Sequence, residues 1–209
     1  MYREASIDTY VADAAAGKPA PGGGSVSALA GALAAAMSAM SANFTVGKKR
    51  FADVEETARR LLGELEEARE ALLELMERDV EAYSAVSDAY SLPKESEEQK
   101  ATRAEAIGRA LRAAMEVPLD VMRRCAAVAS VADELVEVGN RNLITDVGVS
   151  AILAEAACAA ARLNVEVNLK FLKEPELRRE VEAEMEPLSR AAAACRDRVS
   201  RKVTDYLWG

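Results

Sequence analysis

The sequence contains no histidine. Proton transfer near neutral pH therefore falls to Asp, Glu, Lys, Tyr or Cys with a shifted pKa, or to water. A catalytic zinc also loses its commonest ligand, and Cys125, Cys158 and Cys195, scattered through Ala-rich stretches, are a poor substitute. Their odd number and small-residue surroundings fit core positions in a reducing compartment. Aromatic residues are scarce at 4 %, while Ala, Leu, Glu, Arg and Met abound, which is the profile of a helical protein. Basic excess is missing too. A formal net charge of −8 leaves little with which to release phosphate counterions, so general nucleic-acid binding is disfavoured. The hydrophobic run Val26 to Ala42 is short, consists mainly of Ala, Ser and Gly, and follows no positively charged stretch. It reads as a core helix of a cytoplasmic protein, with no membrane association, rather than as a span or signal.

What is present is a chain of 209 residues, half of them hydrophobic, enough to bury one substantial core. The stretch Pro19-Ala20-Pro21-Gly22-Gly23-Gly24-Ser25 precedes a nearly polar-free helix. The glycines allow a close backbone approach, and Ser25 stands where a helix N-cap belongs. The loop lacks the Lys-Ser/Thr of a nucleotide P-loop, and no strand precedes it.

Helical spacing predicts elements over Ser6 to Ala16, Ser25 to about Thr45, Ala52 to Tyr90, Ser96 to Val138, Thr145 to about Leu172, and Glu176 to Trp208. Gly17 and Gly139 are expected C-caps, Thr145 or Asp146 an N-cap, and Pro118 and Pro187 bends or breaks. The second helix carries a large apolar seam of Val26, Leu29, Leu33, Met37, Met40 and Phe44. A second seam of small residues is made by Ser27, Gly31, Ala34, Ser38, Ser41 and Thr45. The small seam suits close helix packing or a flat ligand. The helix ends in Gly47-Lys48-Lys49-Arg50, either dipole compensation or a seat for an anionic tail. The result is an all-α, single-domain bundle of about six long, mostly antiparallel helices.

Along the third helix Leu61, Leu65, Ala68, Leu72, Leu75, Asp79, Tyr83, Val86 and Tyr90 recur at near-heptad spacing. Asp79 is the one carboxylate in that stripe. It must be paired, protonated or turned toward a cavity, because an unpaired buried charge is costly. On the fifth helix Asp146, Ser150, Asn164 and Asn168 lie near one stripe, and Glu155, Arg162 and Glu166 on another could form an ion-pair ladder. The asparagines serve either helix packing or a ligand.

Several of these segments together resemble one family. They are Ala20-Pro21-Gly22-Gly23-Gly24-Ser25 through Leu33, Ala42-Asn43-Phe44-Thr45-Val46-Gly47-Lys48-Lys49, Asp79-Val80-Glu81-Ala82-Tyr83, Leu92-Pro93-Lys94, Gly139-Asn140 through Asp146-Val147-Gly148, and Leu163-Asn164 through Asn168-Leu169. The combination is similar to the cyclodeaminase/cyclohydrolase family, that of formiminotetrahydrofolate cyclodeaminase and of the stand-alone methenyltetrahydrofolate cyclohydrolase. Gly139-Asn140-Arg141-Asn142 departs from the expected Asn-Pro-Asn, and Thr145 stands where serine is expected.

The resemblance implies a homodimer of all-α subunits with a tetrahydrofolate derivative as substrate and no resident metal or redox cofactor. Two reactions are open: hydrolysis of 5,10-methenyltetrahydrofolate to 10-formyltetrahydrofolate, or cyclisation of 5-formiminotetrahydrofolate with release of ammonia. The alternative is a non-catalytic folate-binding or assembly protein. Asp79 is the first catalytic candidate, because its seam position desolvates it. Asp146, at a helix start, is the ionised partner or a contact for Asn140 or the pterin amino group. Gly22, Gly23, Gly24, Ser25, Asn140, Asn164 and Asn168 are expected to line the folate groove, with Lys48, Lys49 and Lys94 on the glutamate tail.

Overall fold

A computed structural model describes residues 1–172 and 174–209. Among the described residues six α-helices make up the bundle: α1 (Ile7–Ala15), α2 (Gly23–Asn43), α3 (Glu55–Tyr90), α4 (Glu97–Val138), α5 (Ile144–Leu172) and α6 (Pro175–Trp208). Short 3₁₀ turns over Tyr2–Glu4, Lys49–Val54 and Arg141–Leu143 join or precede them. No strand occurs among the described residues.

Neighbours in sequence run antiparallel, as the short connections require. Arg60 on α3 meets Glu134 on α4, and at the other end Arg103 of α4 reaches the Tyr90 carbonyl of α3. The α5 helix runs back along α4, with the Cys158 thiol facing the Met122 carbonyl, and α6 runs back along α5, with Arg162 on Glu186. Alternate helices run parallel: on α4 and α6 Arg123 pairs with Glu184 and Asp133 with Arg198, and on α2 and α4 Gly31 faces Cys125 and Ser41 faces Gly139.

The centre of the bundle is built on small residues. On α2 the buried positions are Gly24, Ser25, Ser27, Ala28, Gly31, Ala32, Ala34, Ala35, Ser38, Ala39, Ser41 and Ala42. Without bulk there, α3, α4 and α5 close onto α2. A Cβ on Gly31 would stand 2.6 Å from the Cys125 sulfur. Two of the buried hydroxyls are satisfied in a chain: Ser38 Oγ donates to Ser150 Oγ (2.7 Å), which donates to the Ala34 carbonyl (2.7 Å), whereas Ser41 Oγ finds no partner among the described residues. Leu61, Leu65 and Leu72 of α3 and Met115, Leu119, Met122 and Leu135 of α4 supply the volume that α2 lacks. The three cysteines are free and buried, as expected of core residues.

The large apolar seam of α2 faces the other way. Val26, Leu33 and Phe44 are exposed, and Leu29, Met37 and Met40 are only partly covered. Periodicity locates two seams on a helix but does not say which is buried. Here tight approach of three neighbouring helices selects the small one.

Several boundaries move. The N-cap of α2 is Gly22 and not Ser25, which sits fully buried in the first turn. The third helix starts at Glu55, after a 3₁₀ turn in which Phe51 leaves helical geometry. The cap of α1 is Ala16 rather than Gly17. Neither Thr145 nor Asp146 caps α5, because the preceding 3₁₀ turn runs straight into it from Arg141. That turn is capped instead by Asn140, whose side chain accepts from the Asn142 amide. Ser96 forms the expected capping box, with Gln99.

Pro118 and Pro187 lie inside continuous helices. Proline at 118 leaves the Ala114 carbonyl without its intrahelical donor. The Asn168 amide donates to that carbonyl at 3.4 Å. Of the expected ladder, Arg162 pairs with Glu166 but Glu155 faces Arg196 on α6.

Candidate active site

At the end of the bundle where α2 begins, a cavity of about 670 Å³ opens between α2, α3, α4 and α5. Its walls are Pro19 and Gly22–Gly24, then Asp79, Ala82, Tyr83, Val86, Ser87 and Tyr90 from α3, Leu111 and Ala114 from α4, and Asn164, Val167, Asn168 and Phe171 from α5. Among the described lining residues Asp79 carries the only charge.

Asp79 is held at the first turn of α2. The Ser25 amide donates to its Oδ2 at 2.9 Å. The side chain occupies the space above Gly24, where an added Cβ would lie 2.0 Å from Oδ1. Only glycine fits there, so one of the three glycines serves the carboxylate. Burial pushes the Asp79 pKa up, and the Ser25 N–H partly opposes that rise by favouring the charged form. None of the described basic residues forms an ion pair with it. The cavity-facing reading of this carboxylate, and not the salt-bridge reading, is the one the geometry supports.

Gly23 makes room in the same way for Asn164, whose amide atoms would be 3.3 Å from a Cβ there. The Asn164 Nδ2 donates to the Ala160 carbonyl at 3.0 Å, and Asn168 Nδ2 donates to the Asn164 carbonyl at 2.9 Å. With their amide nitrogens committed to backbone, both asparagines keep their oxygens as acceptors at the cavity wall. The Ser25 hydroxyl points away from the cavity and meets Tyr10 Oη at 2.9 Å, where both are buried. Its expected ligand contact is replaced by a structural one: its amide fixes Asp79.

The remaining sequence candidates lie elsewhere. Lys48 and Lys49 follow the far end of α2, which at 1.5 Å per residue is about 30 Å from Gly23. Asn140 sits at that same far end, its backbone N–H donating to Thr45 Oγ1 at 2.9 Å. Asp146 lies 18 residues before Asn164 on one helix, about 27 Å along its axis. It cannot share a reacting atom with Asp79 of the same chain. Lys94 is exposed on the loop that follows Tyr90 and does not line the cavity. The site residues therefore divide between two ends of the molecule.

Sequence reasoning placed Tyr83, Val86 and Tyr90 in a packing stripe. In the structure this part of the stripe is the cavity wall, with Phe171 on α5. Tyr83, Tyr90 and Phe171 remain half exposed there. The signal available was the stripe's own exception: Tyr83, Val86 and Tyr90 follow Asp79 at turn spacing. Arg103 was also missed. It donates to the Tyr90 carbonyl at 3.0 Å and stacks over the Tyr90 ring.

Comparison with known proteins gives consistent results. The family described as Formiminotransferase-cyclodeaminase matches residues 6–187. A methenyltetrahydrofolate cyclohydrolase from Methylorubrum extorquens is 39 % identical over 203 residues, 97 % of this chain and 98 % of that protein. A formimidoyltransferase-cyclodeaminase from Rattus norvegicus is 34 % identical over 167 residues, 80 % of this chain but only 31 % of that longer protein. The solved structure of a formiminotetrahydrofolate cyclodeaminase from Thermotoga maritima superposes with a TM-score of 0.89 at 34 % identity, covering 100 % of both chains.

Proposed function

The chain belongs to the formiminotransferase-cyclodeaminase family, and from that premise we propose that it opens the methenyl ring of 5,10-methenyltetrahydrofolate to give 10-formyltetrahydrofolate. The observation that carries this reading is the partly buried carboxyl of Asp79, the one charge among the described residues of a wall of apolar side chains and amides.

The methenyl substrate is a cation whose charge is shared by N5, the bridging carbon and N10. A carboxylate in a poorly solvated wall is its electrostatic complement. Water attacks the bridging carbon, and Asp79 accepts the proton released as the C–O bond forms. The C–N5 bond then breaks, and the same carboxyl returns its proton to N5, leaving the formyl group on N10 and one proton to solvent. Burial raises the Asp79 pKa toward the working range, which improves it as a base, while the Ser25 amide orients Oδ2. Tyr83, Tyr90 and Phe171 give flat surfaces for the pterin and benzoyl rings, and the Asn164 and Asn168 oxygens are acceptors for pterin N–H groups. This chemistry uses water and one carboxyl, and on this reading the enzyme holds no metal or redox cofactor.

The similarity to the Thermotoga structure supports a second reading on the same groups. There N10 attacks a formimino carbon, Asp79 relays the proton, and ammonia leaves as the methenyl ring closes. The 39 % identity to a cyclohydrolase of matching length favours hydrolysis for this chain. The reading places the protein in the cytoplasm, where three free buried thiols persist, and as a homodimer through the exposed α2 seam.

The test is optical. Purified protein is mixed with methenyltetrahydrofolate, and separately with 5-formiminotetrahydrofolate, and methenyl absorbance is followed. Faster loss than in buffer is the expected result. Gain from the formimino compound assigns the cyclodeaminase, and no change with either overturns both readings in favour of a non-catalytic scaffold.

A further inference from the structure

The α1 helix buries one side chain, Tyr10. Ile7 and Val11 of the same helix stay exposed, so the Tyr10 ring and its hydroxyl carry the contact between α1 and the bundle. The ring lies edge-on against Tyr2, with centroids 5.3 Å apart and planes at 88°. Tyr2 Oη in turn stands 3.0 Å from Asp13 Oδ2 and 3.3 Å from the Ala20 carbonyl. Arg3 ties the same segment to Glu70 and Glu77 of α3. Tyr10 is thereby a fixed post behind the first turn of α2, outside the described cavity wall.

That turn has little else to hold it. Its cap is Gly22, which offers no side chain, and its first two residues are Gly23 and Gly24. Glycine keeps the most backbone freedom, and the amides of a first turn have no intrahelical acceptor. Of the Gly23, Gly24 and Ser25 amides, only that of Ser25 finds a partner among the described residues, and the partner is Asp79 Oδ2. The Ser25 hydroxyl has one partner as well, Tyr10 Oη at 2.9 Å, with both side chains buried. Ser25 is gripped on two sides, by Asp79 in front and by Tyr10 behind.

We propose that Tyr10 is a positioning residue for Asp79: its hydroxyl pins Ser25 from behind, so that the Ser25 amide holds the carboxyl at one angle and depth in the cavity wall. The assignment rests on the reading of Asp79 as the acid/base group given above.

Tyr10 acts through this bond and not through a charge. Burial pushes its phenol above the ordinary tyrosine range, so it stays a neutral hydroxyl at working pH. Few other titratable groups face the pair. Tyr2 and Glu77 stand behind Tyr10, Tyr83 and Tyr90 of α3 stand on the cavity side, and α2, α4 and α5 add none to the described wall. The Ser25 amide favours the ionised carboxylate, against the burial that raises the Asp79 pKa. A loosened Ser25 weakens that bond. The carboxyl then takes up its proton at higher pH, and its angle to the reacting carbon is no longer fixed.

Four proteins decide it: wild type, Tyr10→Phe, Ser25→Ala and the double variant. Each single change keeps the ring or the amide but leaves one buried hydroxyl unpaired, so each should lower the urea midpoint. Each should also lower kcat about tenfold with KM within about twofold of wild type, the pattern of an interaction lost in the transition state. The acid limb of kcat against pH should move to higher pH. In the double variant neither hydroxyl remains unpaired, and the urea midpoint should recover. The loss of kcat and the displaced limb should persist. A kcat that recovers together with stability, or a limb that stays in place in Tyr10→Phe, overturns the proposal and leaves Tyr10 a packing residue. A wild type that turns over neither folate defeats the folate reading alone. The Asp79 carboxyl, labelled with carbon-13 and assigned by its loss in Asp79→Asn, is therefore also titrated by NMR in the four proteins. A midpoint raised in all three variants supports the positioning role, and a midpoint unchanged in Tyr10→Phe overturns it.

Discussion

Asp79 occupies the volume that any side chain at position 24 would need. A Cβ on Gly24 would lie 2.0 Å from Asp79 Oδ1 and 2.6 Å from Cγ. The carboxyl on α3 and the missing side chain on α2 are thus one feature, locked by the Ser25 amide at 2.9 Å.

Gly24→Ala therefore acts on the carboxyl before it acts on the fold. The methyl group must displace Asp79 from the Ser25 N–H toward the cavity, which has room for it. Steady-state kinetics are expected to show kcat reduced at least about tenfold, since misplacing an acid/base group forfeits part of its 10²- to 10⁴-fold contribution. Circular dichroism should remain that of the wild type. Full activity in a folded variant would mean that the position of Asp79 does not matter.

Asp79→Asn removes the proton acceptor while keeping the shape, and kcat is expected to fall about 10²- to 10⁴-fold. Its stability has a defined pH dependence. The folded-state pKa of Asp79 is raised, chiefly by burial, so between the unfolded and folded pKa values the native state binds more protons. Wild-type stability then declines as pH rises through that window, and the ionised carboxylate is a cost above it. The asparagine variant lacks this term. Urea melts at neutral pH should find it as stable as wild type or more so, with the difference closing as pH falls below both pKa values. A difference that widens on acidification would contradict the assigned shift.

Tyr83 and Phe171 test whether the cavity wall receives flat rings. Both are half exposed, at 51 % and 55 %, so truncation to alanine should change stability by no more than about 0.5 kcal/mol. Loss of a ring–ring contact is worth about 0.5–1.5 kcal/mol, or roughly a two- to tenfold rise in KM for each. Thermal melts and KM, measured on the same preparations, separate the two effects. An unchanged KM for both would place the substrate elsewhere.

Gly31 tests the small-residue core independently of the site. A Cβ there would meet Cys125 Sγ at 2.6 Å and Leu72 Cδ2 at 3.2 Å. Gly31→Ala is expected to cost about 1–3 kcal/mol by overpacking. Cys125→Ala removes the obstructing sulfur, so the double variant should be more stable than the sum of the two single losses allows. Strict additivity, read from denaturant midpoints, would mean that the helices separate rather than clash.

The amino-acid sequence by itself determined the helices, their order and their antiparallel path, because apolar spacing and short Pro/Gly connections express local geometry. It also marked Asp79, since a carboxylate inside a heptad stripe is a local contradiction that only a cavity or a partner resolves. The boundaries it misplaced, at Ser25 and Thr145, are ones where a glycine or a 3₁₀ turn took the capping role. Only the tertiary structure decided which α2 seam is buried. That choice depends on how closely three other helices approach, which no single periodicity records. It likewise turned one stripe from packing into a cavity wall beyond Asp79 and parted Lys48, Lys49, Asn140 and Asp146 from the carboxyl. Residues that one sequence reading gathers into a single site are held apart here by the stiffness of a 21-residue helix. A rigid rod of that length fixes distance as firmly as it fixes direction.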